Sequence, residues 1–161
     1  MTTDTQVASL PQQLARAISR LAITVWVGCL WGVGLLAVPV LFHNLADKML
    51  AGMLAGKMFT LVAYVGMACA CYLLIQLTFE FGKQAIRRPL FLIAAVMLVL
   101  TLAGEFGLQP EMAALKAQAL PADVMHSPFF DRFDQLHKIA TGIYLAECLL
   151  GAVLVLKAKR C

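Results

Sequence analysis

The chain has 161 residues, of which 61% are hydrophobic and only 14% are charged. A typical soluble domain is about half apolar and about a quarter charged, so this composition indicates a membrane protein and argues against a soluble globular one. The formal net charge of +4 is modest, and no basic run interleaves with aromatic residues. Both observations argue against nucleic acid as a binding partner.

The N-terminal part of the chain predicts a surface segment followed by a first transmembrane helix. Residues 1–20 are polar and end in two arginines, and their apolar residues follow helical spacing. We expect them to form a short amphipathic, cytoplasmic segment at the membrane interface. The apolar run at 21–42 predicts the first transmembrane helix, because about 20 residues suffice to cross a bilayer. Pro39 should kink this helix near its outer end.

Two further apolar runs predict the second and third transmembrane helices, at about 58–79 and 90–108. Asn44 is placed to cap a helix that begins outside the membrane and leads into the second of these. Between the third and fourth helices, Pro110 and Pro121 bracket a sequence that predicts a short helix on the surface of the bundle.

The fourth predicted helix, at about 129–157, carries the most distinctive pattern. Ser127 is a favourable N-cap, and Pro128 suits the first helical turn. Glu147 is the one acid deep inside an apolar run. Aromatic and polar residues recur three or four apart and should form one stripe on this helix: Phe130, Phe133, His137, Thr141, Tyr144 and Cys148.

These elements predict an all-α fold, an antiparallel four-helix transmembrane bundle that spans residues 21–158. Eight of the 13 lysines and arginines fall on the side that holds both chain termini, and five fall on the other side. Positive residues favour the cytoplasmic side, so we expect both termini to be cytoplasmic and the protein to be a multi-pass protein of a bacterial-type inner membrane.

Three polar residues lie at the outer ends of the predicted helices: His43, Glu105 and His137. Imidazole and carboxylate groups at one depth could bind a metal or small ligand, or could relay a proton. Ordinary polar capping at the membrane interface is the alternative, because these residues lack the close spacing of a strong metal signature.

Glu147 lies about ten residues, or ~15 Å, from the inner end of its helix, which is near the midplane of a ~30 Å core. A charge at that depth is costly, so Glu147 should face the bundle and be protonated at neutral pH. We expect it to donate a hydrogen bond to a neighbouring helix, and Thr60, Gln76 and Thr101 are candidate partners, although none is level with it. A role in binding an ion, a ligand or a proton is the alternative.

Two pairs of glycines have the spacing of transmembrane helix contacts, Gly28 with Gly32 and Gly52 with Gly56. Small residues four apart let another helix approach closely, so these pairs are candidate helix-packing faces. Cysteine and methionine residues also lie within the apolar runs, and soft sulfur ligands suit copper. Ordinary apolar packing is the favoured interpretation, because the thiols of Cys69 and Cys71 point ~200° apart on a regular helix and cannot both face one ion.

No catalytic signature is present, which predicts a protein that is not an enzyme. Several residues match the pattern of a known family: Trp31-Gly32, Pro39-Val40-Leu41-Phe42, Phe59, Tyr64, and Phe133 to His137 at the start of the fourth helix. On these residues the chain resembles the transmembrane protein 205-like family over roughly residues 20–157. The resemblance implies a small four-helix membrane domain of unknown function. Its architecture is also loosely similar to that of copper-resistance and haem-handling membrane proteins.

We therefore predict a structural, interaction or accessory membrane protein, in contact with the lipid bilayer and with a second copy or another membrane protein. The alternative prediction is a binder or transporter of a small ligand or a metal, with copper and haem as the candidates. The sequence identifies no cofactor.

Overall fold

The structure, a computed structural model, describes residues 10–120 and 124–158, apart from the side chain of His126. Four helical spans make up nearly all of these residues, and we number them first to fourth: Leu10–Asn44, Lys48–Arg87, Pro89–Ala119 and Phe130–Ala158. Each span is long and apolar enough to cross a membrane. The prediction of an all-α, four-span membrane protein is therefore confirmed.

The spans contain α-helix together with shorter segments of other helix types. The first span consists of Leu10–Trp31, a π-helical segment at Gly32–Ala37 and a final helix at Val38–Asn44. The second consists of Lys48–Phe81 and a 3-10 segment at Gly82–Arg87. The third consists of Pro89–Leu102, a π-helical segment at Ala103–Leu108 and a helix at Gln109–Ala119. A short 3-10 turn at Val124–His126 precedes the fourth, Phe130–Ala158.

Each span packs against the spans that precede and follow it, and the fourth also packs against the first. This arrangement is an up-and-down bundle. We call the end at Leu10 and Ala158 the terminal end, and the end at Asn44 and Phe130 the rim end. Four large side chains are almost completely buried at the centre of the bundle, one from each span: Trp26, Leu73, Met97 and Leu154.

The outward faces of the spans are rich in large apolar side chains. Leu61, Val99 and Leu149 have exposed fractions of 66%, 63% and 72%, and each lies within a membrane-spanning helix. Such surfaces are unfavourable in water but are the expected lipid contact of a membrane protein. The interior of the bundle therefore supplies only part of the apolar burial, and the bilayer supplies the rest.

The first span begins earlier than we predicted, because the helix runs without interruption from Leu10 into the apolar run. Two interactions tie this extension to the second span. Arg16 pairs with Glu80 at 2.9 Å, and the Tyr72 hydroxyl donates to the Ala15 carbonyl at 3.3 Å. The described part of the predicted surface segment is thus a continuation of the first span.

The third span also continues beyond its predicted end, and Pro110 does not begin a separate helix. A proline inside an α-helix removes one hydrogen bond and its ring crowds the carbonyl four residues earlier. Both π-helical segments end two residues before a proline, Pro39 in the first span and Pro110 in the third. The wider π turn lies where that crowded carbonyl must be displaced, which explains why both helices continue through their prolines.

The connection between the first two spans also differs from the prediction. Asp47, rather than Asn44, is the N-cap of the second span, and its carboxylate accepts hydrogen bonds from the backbone N–H groups of Met49 and Leu50. The Asn44 side chain instead donates back to the Val40 carbonyl at 2.8 Å. The first span therefore continues through the residue that we expected to start the second.

A second, smaller apolar cluster lies at the rim end, where the extension of the third span packs on the start of the fourth. Its buried members are Met112, Leu115, Ala119, Val124 and Phe133. This cluster is distinct from the main core. It packs the part of the third span that we predicted to be a separate surface helix against the start of the fourth span.

Candidate functional site

The central feature of the bundle interior is a polar contact between the third and fourth spans. Glu147 and Thr101 are the charged and polar residues among the described side chains that are buried. The Thr101 hydroxyl oxygen lies 2.5 Å from Oε1 of Glu147 and 2.9 Å from the main-chain carbonyl oxygen of Met97. Thr101, one of the three candidate partners, is thus in direct contact with Glu147, contrary to our estimate that none of them is level with it.

Tyr144 forms a second polar contact one turn towards the rim end. Its hydroxyl donates to the Leu30 carbonyl of the first span at 3.0 Å. Its ring meets the ring of Phe59 edge-on, with centroids 5.5 Å apart, so it contacts the second span as well. The hydroxyl rests where a side chain at Gly34 would otherwise lie. Tyr144 therefore links the fourth span to two others.

Both contacts of the fourth span are made next to a π-helical segment. Leu30 lies two residues before the segment in the first span, and Thr101 lies two residues before the segment in the third. π-helical turns are uncommon and are frequent at functional sites. These two contacts thus join the fourth span to its neighbours near the places where their helices change from α to π, and the Trp31 indole N–H also donates to the Cys148 carbonyl at 3.3 Å.

The predicted rim residues have separate neighbours. His43 is exposed at the end of the first span. Glu105 is half-buried and accepts a hydrogen bond from the Thr60 hydroxyl at 3.3 Å. His137 is exposed and stacks on the Phe133 ring, with centroids 6.0 Å apart. The structure brings none of these three together in a shared contact among its described side chains.

The arrangement does not provide a preformed metal centre within residues 10–120 and 124–158. No group of three or more His, Cys, Asp or Glu residues among them is placed to hold a metal ion. Nearby, Lys138 pairs with Asp134 at 2.6 Å on the same helix. Every buried side-chain nitrogen or oxygen in the described part has a hydrogen-bond partner.

The predicted packing glycines lie on open surfaces. A Cβ atom at Gly28, Gly32 or Gly56 would meet nothing within 4 Å, and one at Gly52 would meet only the Phe42 ring at 3.8 Å. The close approaches within the bundle use three other glycines. Gly34 faces Tyr144, Gly66 faces Trp26, and Gly151 faces Val27.

Sequence reasoning missed the Tyr144 contact and both π-helical segments. A signal for the segments was present, since glycines at 32 and 34 precede Pro39, and glycines at 104 and 107 precede Pro110. We had treated Pro39 only as a kink and Pro110 only as a helix start. The partner of Tyr144 is a main-chain carbonyl. Every residue has one, so the sequence does not indicate which carbonyl accepts the hydrogen bond.

Comparison with known proteins identifies a family. The model of a family described as "Domain of unknown function (DUF4149)" matches residues 21–121, which is more than half of the chain. The match begins within the first span, covers the second and third spans, and ends before the fourth span, which carries Tyr144 and Glu147. No curated protein and no solved structure matches the chain. The transmembrane protein 205-like assignment is not confirmed and stays a prediction. The chain therefore belongs to the DUF4149 family, which is described as a domain of unknown function.

Proposed function

We propose that this protein is a non-enzymatic accessory protein of the membrane, which acts by binding another membrane-embedded helix through its first span. The partner is a second copy of the chain or a subunit of a different membrane protein. The observation that carries the proposal is the open space at Gly28 and Gly32, which lie four residues apart on an outward face.

Transmembrane helices associate closely where small residues recur four apart, because the two backbones can then come into van der Waals contact. Within the bundle, that role falls to Gly34, Gly66 and Gly151. Gly28 and Gly32 have the same capacity but face away from the described residues. The exposed apolar side chains of Leu21, Val25 and Leu36 flank them on the span. Such a surface suits a lipid-embedded partner helix.

The alternative is a binder or transporter of a small ligand, copper or haem, using His43, Glu105, His137 and Glu147. We place it second because these four side chains have separate neighbours and no described residues form a three-ligand group. Metal and haem analysis of the purified protein, with and without His137→Ala, tests it. A stoichiometric metal or haem that is lost in His137→Ala would favour this alternative over the accessory role.

Replacing both glycines by leucine tests the proposed association. Gly28→Leu/Gly32→Leu should weaken association by about tenfold or more, equivalent to ~1.4 kcal/mol, because two leucines would hold the partner helix away. The measured quantity is the fraction of associated protein. Native mass spectrometry measures it in lipid nanodiscs, and energy transfer between labelled copies measures it in liposomes. Folding should be retained, since leucine favours the helix over glycine by up to ~1 kcal/mol per site.

Gly142→Leu is the matched control. Gly142 lies on an exposed face of the fourth span, and a Cβ atom there would also meet nothing within 4 Å. It should leave association unchanged. A wild-type protein that is monomeric and retrieves no membrane partner, or a double variant that associates as well as wild type, would contradict the proposal.

A further inference from the structure

Two hydrogen bonds meet at the Thr101 hydroxyl, and together they require two protons. The oxygen lies 2.9 Å from the Met97 carbonyl oxygen and 2.5 Å from a Glu147 carboxyl oxygen. A hydroxyl group has one proton to donate, and a main-chain carbonyl can only accept. If Thr101 donates to Met97, the proton in the other contact must belong to the Glu147 carboxyl group. A protonated Glu147 therefore satisfies both contacts at once.

We propose that Glu147 is a proton-binding site that exchanges its proton with the rim side of the membrane and not with the terminal side. The site consists of the Glu147 carboxyl group, the Thr101 hydroxyl and the Met97 carbonyl. Its ligand is the proton itself. This inference is independent of the proposed association through the first span, which uses a different face of the bundle.

Polar groups continue from Glu147 towards the rim end. Glu105 lies four residues beyond Thr101 on the third span, about one turn or ~6 Å further along the helix. It is half-buried and accepts from the Thr60 hydroxyl at 3.3 Å. The Tyr144 hydroxyl lies one turn from Glu147 in the same direction. These oxygen atoms could carry a proton or a water molecule between the rim surface and Glu147.

Towards the terminal end, the layer of the interior next to Glu147 is apolar, and the part-buried Tyr72 hydroxyl lies beyond it. Leu154 lies two turns beyond Glu147 on the fourth span, and it is fully buried. Trp26, Leu73 and Met97 fill the same part of the interior, one from each of the other spans. Packed apolar side chains leave no polar partner for a proton or for water. This layer separates Glu147 from the terminal side.

The titratable groups around Glu147 are few. Tyr144 and Cys148 lie on its own span, three residues before it and one residue after it. The third span presents Glu105, and the titratable groups that the first and second spans place in or against the interior are Cys29, Cys69 and Tyr72. Among the described residues, no lysine, arginine or histidine has a hydrogen bond or ion pair with Glu147. No fixed positive charge therefore holds Glu147 ionised.

Loss of the proton would change the contact with the third span. An ionised Glu147 can only accept, so the Thr101 hydroxyl would turn to it and leave the Met97 carbonyl without that donor. This change would occur two residues before the π-helical segment at Ala103–Leu108. Access from one side means that the site reports the proton concentration on that side and does not carry protons across the membrane.

Infrared spectroscopy of the full-length protein in sealed vesicles tests the inference, because a protonated carboxyl group has its own C=O band. Glu147→Gln should remove this band, whereas Glu105→Gln should keep it. If Glu147→Gln does not fold, Thr101→Val provides the assignment, since it retains the acid but removes its acceptor and should shift the band. The orientation of the protein in the vesicles is measured by labelling the native Cys161.

The decisive step raises the pH on one side at a time with impermeant buffers. Alkaline buffer on the rim side should cause loss of the Glu147 band, and the same buffer on the terminal side should leave it unchanged. In Glu105→Gln the rim-side response should be lost or slowed. Absence of a Glu147 band at neutral pH, loss of the band from the terminal side, or a band that persists with both sides alkaline would each overturn the proposal.

Discussion

Single contacts between a glycine and a large side chain decide how closely the spans approach. Trp26 is 1% exposed, and its indole ring lies against the second span at Gly66. A methyl group on Gly66 would lie 2.5 Å from the indole nitrogen and 3.1 Å from the neighbouring ring carbon. The ring is rigid and enclosed by the core, so it cannot turn aside without displacing other side chains.

We therefore expect Gly66→Ala to destabilise the bundle by about 1–3 kcal/mol, the usual cost of overpacking a core. The measurement is thermal or denaturant unfolding in detergent micelles. Gly142→Ala provides the control, because its added methyl group meets nothing within 4 Å and alanine favours the helix by up to ~1 kcal/mol. Equal stability of the two variants would show that the Trp26 contact with Gly66 is looser than described.

The sequence predicts which residues carry the interior polar site better than it predicts their partners. Glu147 is evident because it is an acid surrounded by apolar residues, and Thr101 was one of three candidate partners. The depth estimate placed Thr101 too far out, because counting residues along each helix does not fix how two helices are aligned against each other. His43 and His137 were candidates by residue type just as Glu147 was. Both lie on outward faces of their helices, and their spacing in the sequence did not predict this.

At the scale of elements, the apolar runs predicted the number and order of the spans but not their ends. The first and third spans both extend about ten residues beyond the apolar runs, because α-helix continues wherever no residue stops it and a neighbour offers a contact. Pro110 would ordinarily stop a helix, but the π-helical turn before it removes the clash. Local rules on proline cannot predict this without the tertiary contacts on either side.

The rim cluster should behave as a unit separate from the main core. Leu115→Ala removes a side chain that is 6% exposed at the centre of the cluster, and we expect a local cost of about 2 kcal/mol, the lower end for buried leucine. Backbone hydrogen exchange at Gln109–Ala119 should become faster. Exchange in the parts of the four spans that form the main core should change little.

Leu120→Ala is the matched control for this prediction, since Leu120 is 60% exposed and the chemical change is the same. It should leave exchange in the third span nearly unchanged. If Leu115→Ala instead accelerates exchange throughout the bundle, the rim cluster and the main core form one cooperative unit and the division drawn here is wrong.

At the scale of the whole molecule, a four-span up-and-down bundle places Leu10 and Ala158, the outermost residues of the first and fourth spans, at one end. The fold is shown by the four apolar spans and their neighbour relations, whereas the side of the membrane at which the termini lie is a prediction from the lysine and arginine distribution. Both the proposed partner contact and the sided proton site depend on this bilayer arrangement, because each assumes that the exposed apolar faces contact lipid.

Sided cysteine labelling with a membrane-impermeant maleimide tests that arrangement most directly. Ala122→Cys marks the connection between the third and fourth spans, and the native Cys161 marks the C-terminus. The other cysteines lie within the spans, and Cys161→Ser controls for them. We predict that Ala122→Cys is labelled in intact cells and that Cys161 is labelled only after the cytoplasmic side is exposed. Labelling of both positions from the same side would contradict the four-span arrangement, and labelling of Cys161 from outside would contradict the predicted orientation.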